Sequence, residues 1–387
     1  MKAGIYDPYL DTLGGGERYC LTVAEILLKN NWQVDLFWSG QKDLIDKAQR
    51  RFSLKIDQIN LVDDIFHLQK IKLDPQEDIL QIKTLLNHHR LPHNKIGKIA
   101  KNYQTMRQYD LIFYLSDGSI PLLFAKKNLF HVQVPFRLNL SQTKTLLNNL
   151  KLKLSKSTII CNSAFTQKFT SQSLKHQSTV LHPPVDVEKF KASKFKRNYI
   201  LSVGRFDNIL NAKKQDILIK AFAKLSPRHP GWKLVLVGGS AQDPDQNQYL
   251  LHLKKIATSL PIKFIINPPF SRLKRIYAKS KIYWHAAGYN VDQDQHPEAT
   301  EHFGMVVVEA MASGLVPLVV NKGGLPEIVN HESNGFHWSN TKELILQTED
   351  LILRPEKLKT MAITAKADSQ QFSKDAFAKK LLNIVNS

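Results

Sequence analysis

The segment Glu301-His302-Phe303-Gly304-Met305-Val306-Val307-Val308-Glu309-Ala310-Met311-Ala312-Ser313-Gly314 holds two carboxylates separated by seven residues, with a glycine turn after the first. The second falls inside a helix that Gly314 would end. A helix entered through Phe303-Gly304 points free backbone N–H groups at whatever precedes it, which suits a diphosphate. Carboxylates accept hydrogen bonds from sugar hydroxyls, so Glu301 and Glu309 beside such a site suit a nucleotide sugar. Glu309 also sits among Val306, Val307, Val308, Ala310 and Met311, where a carboxylate needs a partner.

Three other clusters carry chemistry of the same kind. Gly204-Arg205-Phe206 follows an expected strand, and Lys213-Lys214 opens the next helix. Two cations so placed can clamp a phosphate from two directions. Leu13-Gly14-Gly15-Gly16-Glu17-Arg18 lies between a strand and a helix, where glycines let the backbone approach a ligand. Its spacing matches neither the Rossmann GxGxxG nor the P-loop pattern. Asn321-Lys322-Gly323-Gly324-Leu325-Pro326-Glu327-Ile328-Val329 is a glycine turn into a helix and could form a second backbone wall.

The elements that must position these residues read as parallel α/β units. Short β-branched or aromatic runs alternate with helical patterns. In the first half the strands are expected at Lys2–Tyr6, Gln33–Trp38, Asp110–Leu115, Leu129–Val134 and Thr158–Cys161. In the second half they are Tyr199–Val203, Lys233–Val237, Ile262–Ile266, Lys281–Trp284 and Val316–Val320. Nearly continuous apolar runs fit strands covered on both faces. The linker is expected at His182–Lys196, where prolines give way to charges. This divides the chain into residues 1–190, residues 191–365 and a C-terminal helix in 366–387 that closes the second unit or packs back on the first.

The 387 residues contain 54 Lys and Arg against 34 Asp and Glu, a net +20. Of this, +13 lies in residues 81–180, which hold 15 basic residues and only Asp110 and Asp117 as acids. His88, His89 and His93 stand at the start of that stretch. Three readings compete for it: a solvated surface, attraction to anionic lipid, and nucleic acid. Zinc-finger, RNP-type and helix-turn-helix patterns are missing, which puts nucleic acid last. Within it, Leu150, Leu152 and Leu154 alternate with lysines in a strand-like way, spoiling the helical period of Leu138–Lys156. Two cysteines, Cys20 and Cys161, support no disulfide framework or structural zinc, and the expected compartment is the cytoplasm. Asp7 and Asp11 stand where a signal peptide would need its apolar core, and no apolar run approaches the ~20 residues of a membrane span.

Taken in order along the chain, these motifs resemble the retaining, nucleotide-sugar-dependent glycosyltransferases of the GT-B fold, specifically glycosyltransferase family 4. Glu301 and Glu309 match that family's E-x7-E motif. Gly204, Arg205 and Lys213 match its G-R-(x)n-K motif, with Lys213 preferred to Lys214 on its spacing to Ala221-Phe222. His182-Pro183-Pro184-Val185-Asp186 and the GG-x-x-EIV block match too, and EHFG resembles mannosyltransferases that build lipid-linked oligosaccharides. The resemblance implies two Rossmann-like domains facing a cleft, acceptor side first and donor side second. It implies transfer of a hexose, of mannose or glucose type, from a UDP- or GDP-sugar to a glycan or lipid-linked acceptor in envelope polysaccharide or glycolipid synthesis.

By position, Arg205 and Lys213 would neutralise the departing diphosphate. Glu309 would bind the ribose and Glu301 the transferring sugar, with Phe303, Gly304, Met305 and Val306 lining phosphates and ring beside Gly204. Gly15 and Gly16 would close the diphosphate from the first domain. The family often has a histidine where this chain has Gln133; His131 is two residues away, on the same strand face, so either could reach the sugar or acceptor. His296 is a similar candidate. No cofactor or metal is expected, since two cations can do a metal's work. Peripheral attachment to the inner face of the membrane through residues 81–180 is expected, and nucleic acid is not. A nucleotide-sugar epimerase or phosphorylase on a related fold, or a basic nucleic-acid-binding protein, are the competing readings.

Overall fold

In the computed structural model the described residues are 1–41, 43–66, 102–135, 142–174, 176–207, 213–240 and 243–387. His88, His89 and His93 lie outside them, as do residues 81–101, 136–141 and 175 of the basic stretch 81–180.

Two parallel sheets organise the chain. The first has seven strands in the order β3-β2-β1-β4-β5-β6-β7. They are β1 (Lys2–Tyr6), β2 (Gln33–Phe37), β3 (Asn60–Val62), β4 (Leu111–Leu115), β5 (Lys127–Val132), β6 (Ser157–Cys161) and β7 (Ser178–Val180). The second has six in the order β10-β9-β8-β11-β12-β13. They are β8 (Tyr199–Val203), β9 (Lys233–Gly238), β10 (Ile262–Ile266), β11 (Ile282–His285), β12 (Val316–Val320) and β13 (Phe336–Trp338). Central strands such as β4 and β12 are buried at every residue, which explains their unbroken apolar sequences. This is the α/β architecture of two Rossmann-like units.

In each sheet the strand order reverses beside the first strand of the unit, between β1 and β4 and between β8 and β11. Such switch points open a crevice at the carboxyl ends of the strands. The glycine loop leaves β1 and Gly204-Arg205 leaves β8. Both phosphate-type motifs therefore start at a crevice.

The linker and the C-terminal segment run side by side. Val185 N donates to Phe372 O at 2.9 Å, and the helix Lys374–Asn386 then packs on the first sheet. Its Phe377, Leu381 and Val385 join the buried cluster formed by Tyr19, Leu21, Leu36 and Leu129. The leucine-lysine stretch differs from its strand-like reading, for Gln142–Leu154 is a helix. Leu152 turns inward, while Leu146, Leu150 and Leu154, spaced four apart, share the exposed face.

Candidate functional site

Helix Gly15–Lys29 starts directly from the glycine loop, whose entry is tightened by Leu13 in the left-handed region (φ 47°). Gly14 N donates to the buried Glu17 carboxylate, which ties the loop to its own helix. A side chain at Gly16 would collide with the amide of Gln133, and one at Gly15 would meet Met305. Both contacts are with the tips of flexible side chains, and they show how near the loop comes to Gln133 and to the second domain. Arg18, one turn further on, crosses the cleft. Its guanidinium lies 3.1 Å from Asp186 and 3.6 Å from Glu309.

Across the cleft, Lys213 lies over Gly204, and its Nζ is 2.5 Å from Glu301 Oε2. The same oxygen is 3.0 Å from Nε2 of His285, the last residue of β11. Burial alone would raise the Glu301 carboxyl, but the Lys213 charge and the His285 ring outweigh it and hold it well below the usual carboxylate range. Glu301 is therefore an anion at any working pH, matched by a cation it touches.

Helix Met305–Ala312 opens at Gly304 and carries Glu309 in a buried position. Tyr277 donates to Glu309 at 3.1 Å, and Arg18 approaches its other oxygen. Burial raises the Glu309 carboxyl, opposed by Arg18 and the Tyr277 hydroxyl. The glycine turn after β12 supports this wall: Gly324 N donates to Glu301 O at 2.8 Å. Glu327, from the same block, reaches the first domain. Its carboxylate accepts from Ala164 N and Phe165 N at 2.7 and 2.8 Å and lies 3.0 Å from His182.

The structure thus brings Gly15, Gly16, Gln133, Met305 and Glu309 together across the cleft, and gathers Gly204, Lys213 and Glu301 on the second-domain wall. Phe303 is buried and stacks on His182, while Met305 and Val306 are half-buried at the helix start. Arg205 points outward, with 67% of its side chain exposed and an ion pair to Asp207 at 3.1 Å. His296 is equally exposed and contacts Glu298. His131 requires a correction. It is fully buried, stacked on Tyr19 at 4.1 Å, and burial lowers its basicity to a pKa of about 3. It belongs to the packing of the first sheet and does not line the cleft, whereas Gln133 does. Sequence reasoning missed His285 and Tyr277, and it assigned no role to Asp186 or Arg18, though both stand in the motifs it singled out. The one local signal for His285 was a polar residue closing the apolar run of β11. Among the described residues no group of three or more His, Cys, Asp or Glu converges as a metal site would.

The family model for Glycosyl transferases group 1 matches residues 186–368. An uncharacterized glycosyltransferase of Haemophilus influenzae is 24% identical over 96% of each chain. A Dictyostelium discoideum GDP-Man:Man(3)GlcNAc(2)-PP-Dol alpha-1,2-mannosyltransferase is 29% identical over 53% of this chain, and its Homo sapiens counterpart is 31% identical over 54%. The alignments span 41% and 43% of those two proteins. Among solved structures, Anabaena HepE in complex with UDP superposes with a TM-score of 0.71 at 20% identity, covering all of both chains. Sucrose-phosphate synthase from Thermosynechococcus elongatus gives 0.71 at 16% identity, over 100% of this chain and 98% of that one. Residues 186–368 thus match the family of group 1 glycosyl transferases, and the chain has the GT-B fold.

Proposed function

We infer that the chain is a retaining hexosyltransferase, moving a mannose- or glucose-type sugar from a UDP- or GDP-linked donor to a glycan or lipid-linked acceptor. The observation that carries this reading is the pairing of Lys213 with Glu301 on the wall that also holds Glu309, facing the Gly15–Gly16 loop. Two helix N-termini, at Gly15 and Met305, meet there and favour a diphosphate between them. UDP in the HepE complex and GDP-mannose in the names of the mannosyltransferases support a nucleotide-sugar donor and leave both bases open.

In the proposed course Lys213 turns from Glu301 to the diphosphate, joined by Arg205 from its outward position. Together they stabilise the charge that grows on the leaving group. Glu309 accepts hydrogen bonds from the ribose hydroxyls, and Glu301 accepts from the sugar. The acceptor oxygen bonds to the anomeric carbon on the face from which the diphosphate leaves. The acceptor's proton passes to the departing phosphate oxygen, so configuration is retained without a covalent enzyme intermediate. The acceptor enters from the first domain, beside Gln133.

A thermal-shift panel of UDP, GDP, UDP-glucose and GDP-mannose tests the reading. One nucleotide series is expected to raise Tm, with the gain lost in Glu309→Ala and reduced in Arg205→Ala. A flat panel, combined with salt-dependent binding of duplex DNA, would favour the basic nucleic-acid-binding alternative. Attachment to anionic lipid through the basic stretch is part of the same proposal. Among the described residues, no helix is long and apolar enough to cross a membrane.

A further inference from the structure

Lys213 and Glu301 neutralise each other at 2.5 Å, yet the proposed reaction asks Lys213 to serve the diphosphate. An ammonium that moves to a phosphate leaves Glu301 as a buried anion without its cation, a costly state. Resting on the reading of Glu301 as the sugar-facing carboxylate, we propose that His285 is its positioning residue, keeping the carboxylate ionised and aimed when Lys213 turns away. His285 is 2% exposed and fixed at the carboxyl end of β11. Nε2 is 3.0 Å from the oxygen that Lys213 holds, at ion-pair distance but off the axis of a well-aligned hydrogen bond. Contacts of this kind in unliganded sites tighten once the site fills.

The charge state follows from the surroundings. Burial lowers the basicity of His285, with Glu301 opposing and Lys213 assisting. A neutral imidazole facing a carboxylate must present Nε2–H, because a lone pair there would repel the oxygen. Nδ1 is then the unprotonated nitrogen, and it is buried with no partner among the described residues. The other groups near the pair are Lys213 and the ring of Tyr283, whose hydroxyl donates to Val203 O. His302 contacts Glu298 O through its ring instead. With Lys213 committed to phosphate, His285 is the side-chain donor left to Glu301 among the described residues.

Lys213→Met imitates that committed state without any donor bound. Carboxyl 13C NMR, with the Glu301 signal assigned by its loss in Glu301→Gln, reads the titration directly. In Lys213→Met/His285→Leu the Glu301 midpoint is expected at least one pH unit above that in Lys213→Met. In turnover of UDP-glucose or GDP-mannose, His285→Leu alone should lower kcat about 10- to 100-fold, the loss of one hydrogen bond to a charged group, with donor KM nearly unchanged. His285→Gln, which keeps an N–H near the Nε2 position, should restore most of kcat. Equal midpoints in the two NMR variants would overturn the proposal. So would a His285→Gln as impaired as His285→Leu, which would mark a packing role. If neither nucleotide sugar turns over, the donor reading fails while the NMR titration still decides the role of His285.

Discussion

Asp7 follows β1 and is buried near Glu17, with one carboxylate oxygen accepting from Tyr9 N and the Cys20 thiol beside the group. Burial, then the charge of Glu17, raises its pKa from an ordinary 3.8 to about 8. An acid whose folded pKa is raised holds a proton that the unfolded chain has already lost, so stability falls as pH climbs from about 4 to about 8. Asp7→Asn keeps the acceptor for Tyr9 N and removes the penalty. Its Tm is expected to exceed the wild type by about 2–4 °C at pH 8, with the gain shrinking towards pH 4; equal differences across that range would refute the assignment. The motifs that hold Glu301, Glu309 and Lys213 were legible in the sequence because their spacing is short and local, and the family resemblance implied the roles proposed for them. Arg18 and His285 were not, because what marks them is a partner 168, 291 or 16 positions away: Arg18 meets Asp186 and Glu309, and His285 meets Glu301. His131 misled for a related reason. Strand alternation says which residues share a face and not whether that face meets solvent or an aromatic ring.

Among the elements, the turn after β12 is tightly constrained by backbone. Gly323 has φ +65°, and a side chain there would run into the Glu301 carbonyl. Gly323→Ala is therefore expected to cost about 2 kcal/mol or more in urea unfolding, combining left-handed strain with the clash. It should also weaken nucleotide-sugar binding by displacing Glu301. A loss below about 0.5 kcal/mol would mean the turn relaxes freely. The long buried strands were readable from unbroken apolar runs. The missed strands β3, β7 and β13 have three residues each and stand last in their sheets. At that length neither alternation nor a continuous run can register. The helix Gln142–Leu154 was obscured because three alternating leucines fit both periods over so short a window, and only its exposed four-residue stripe separates them.

On the scale of the molecule, the two units meet through Arg18, the Glu327 cap on the first domain and an ion pair between Lys168 and Asp294 at 3.2 Å. Within the acceptor half the cations concentrate in residues 81–180, at +13, and the exposed leucines of Gln142–Leu154 are interspersed with Lys151 and Lys153. Flotation with phosphatidylglycerol-containing vesicles at low salt is expected to recover the protein, with recovery falling as salt screens the charges. Equal recovery on neutral vesicles would sink lipid attraction as the explanation of the +13 stretch. The crossing at Val185 and Phe372 has a different consequence, in the order of synthesis. Phe377, Leu381 and Val385 complete the core of the first sheet, yet they are translated only after the whole second sheet has emerged. The first unit must therefore wait on the ribosome with an apolar groove open until the second has been made. The domain begun first is the one finished last.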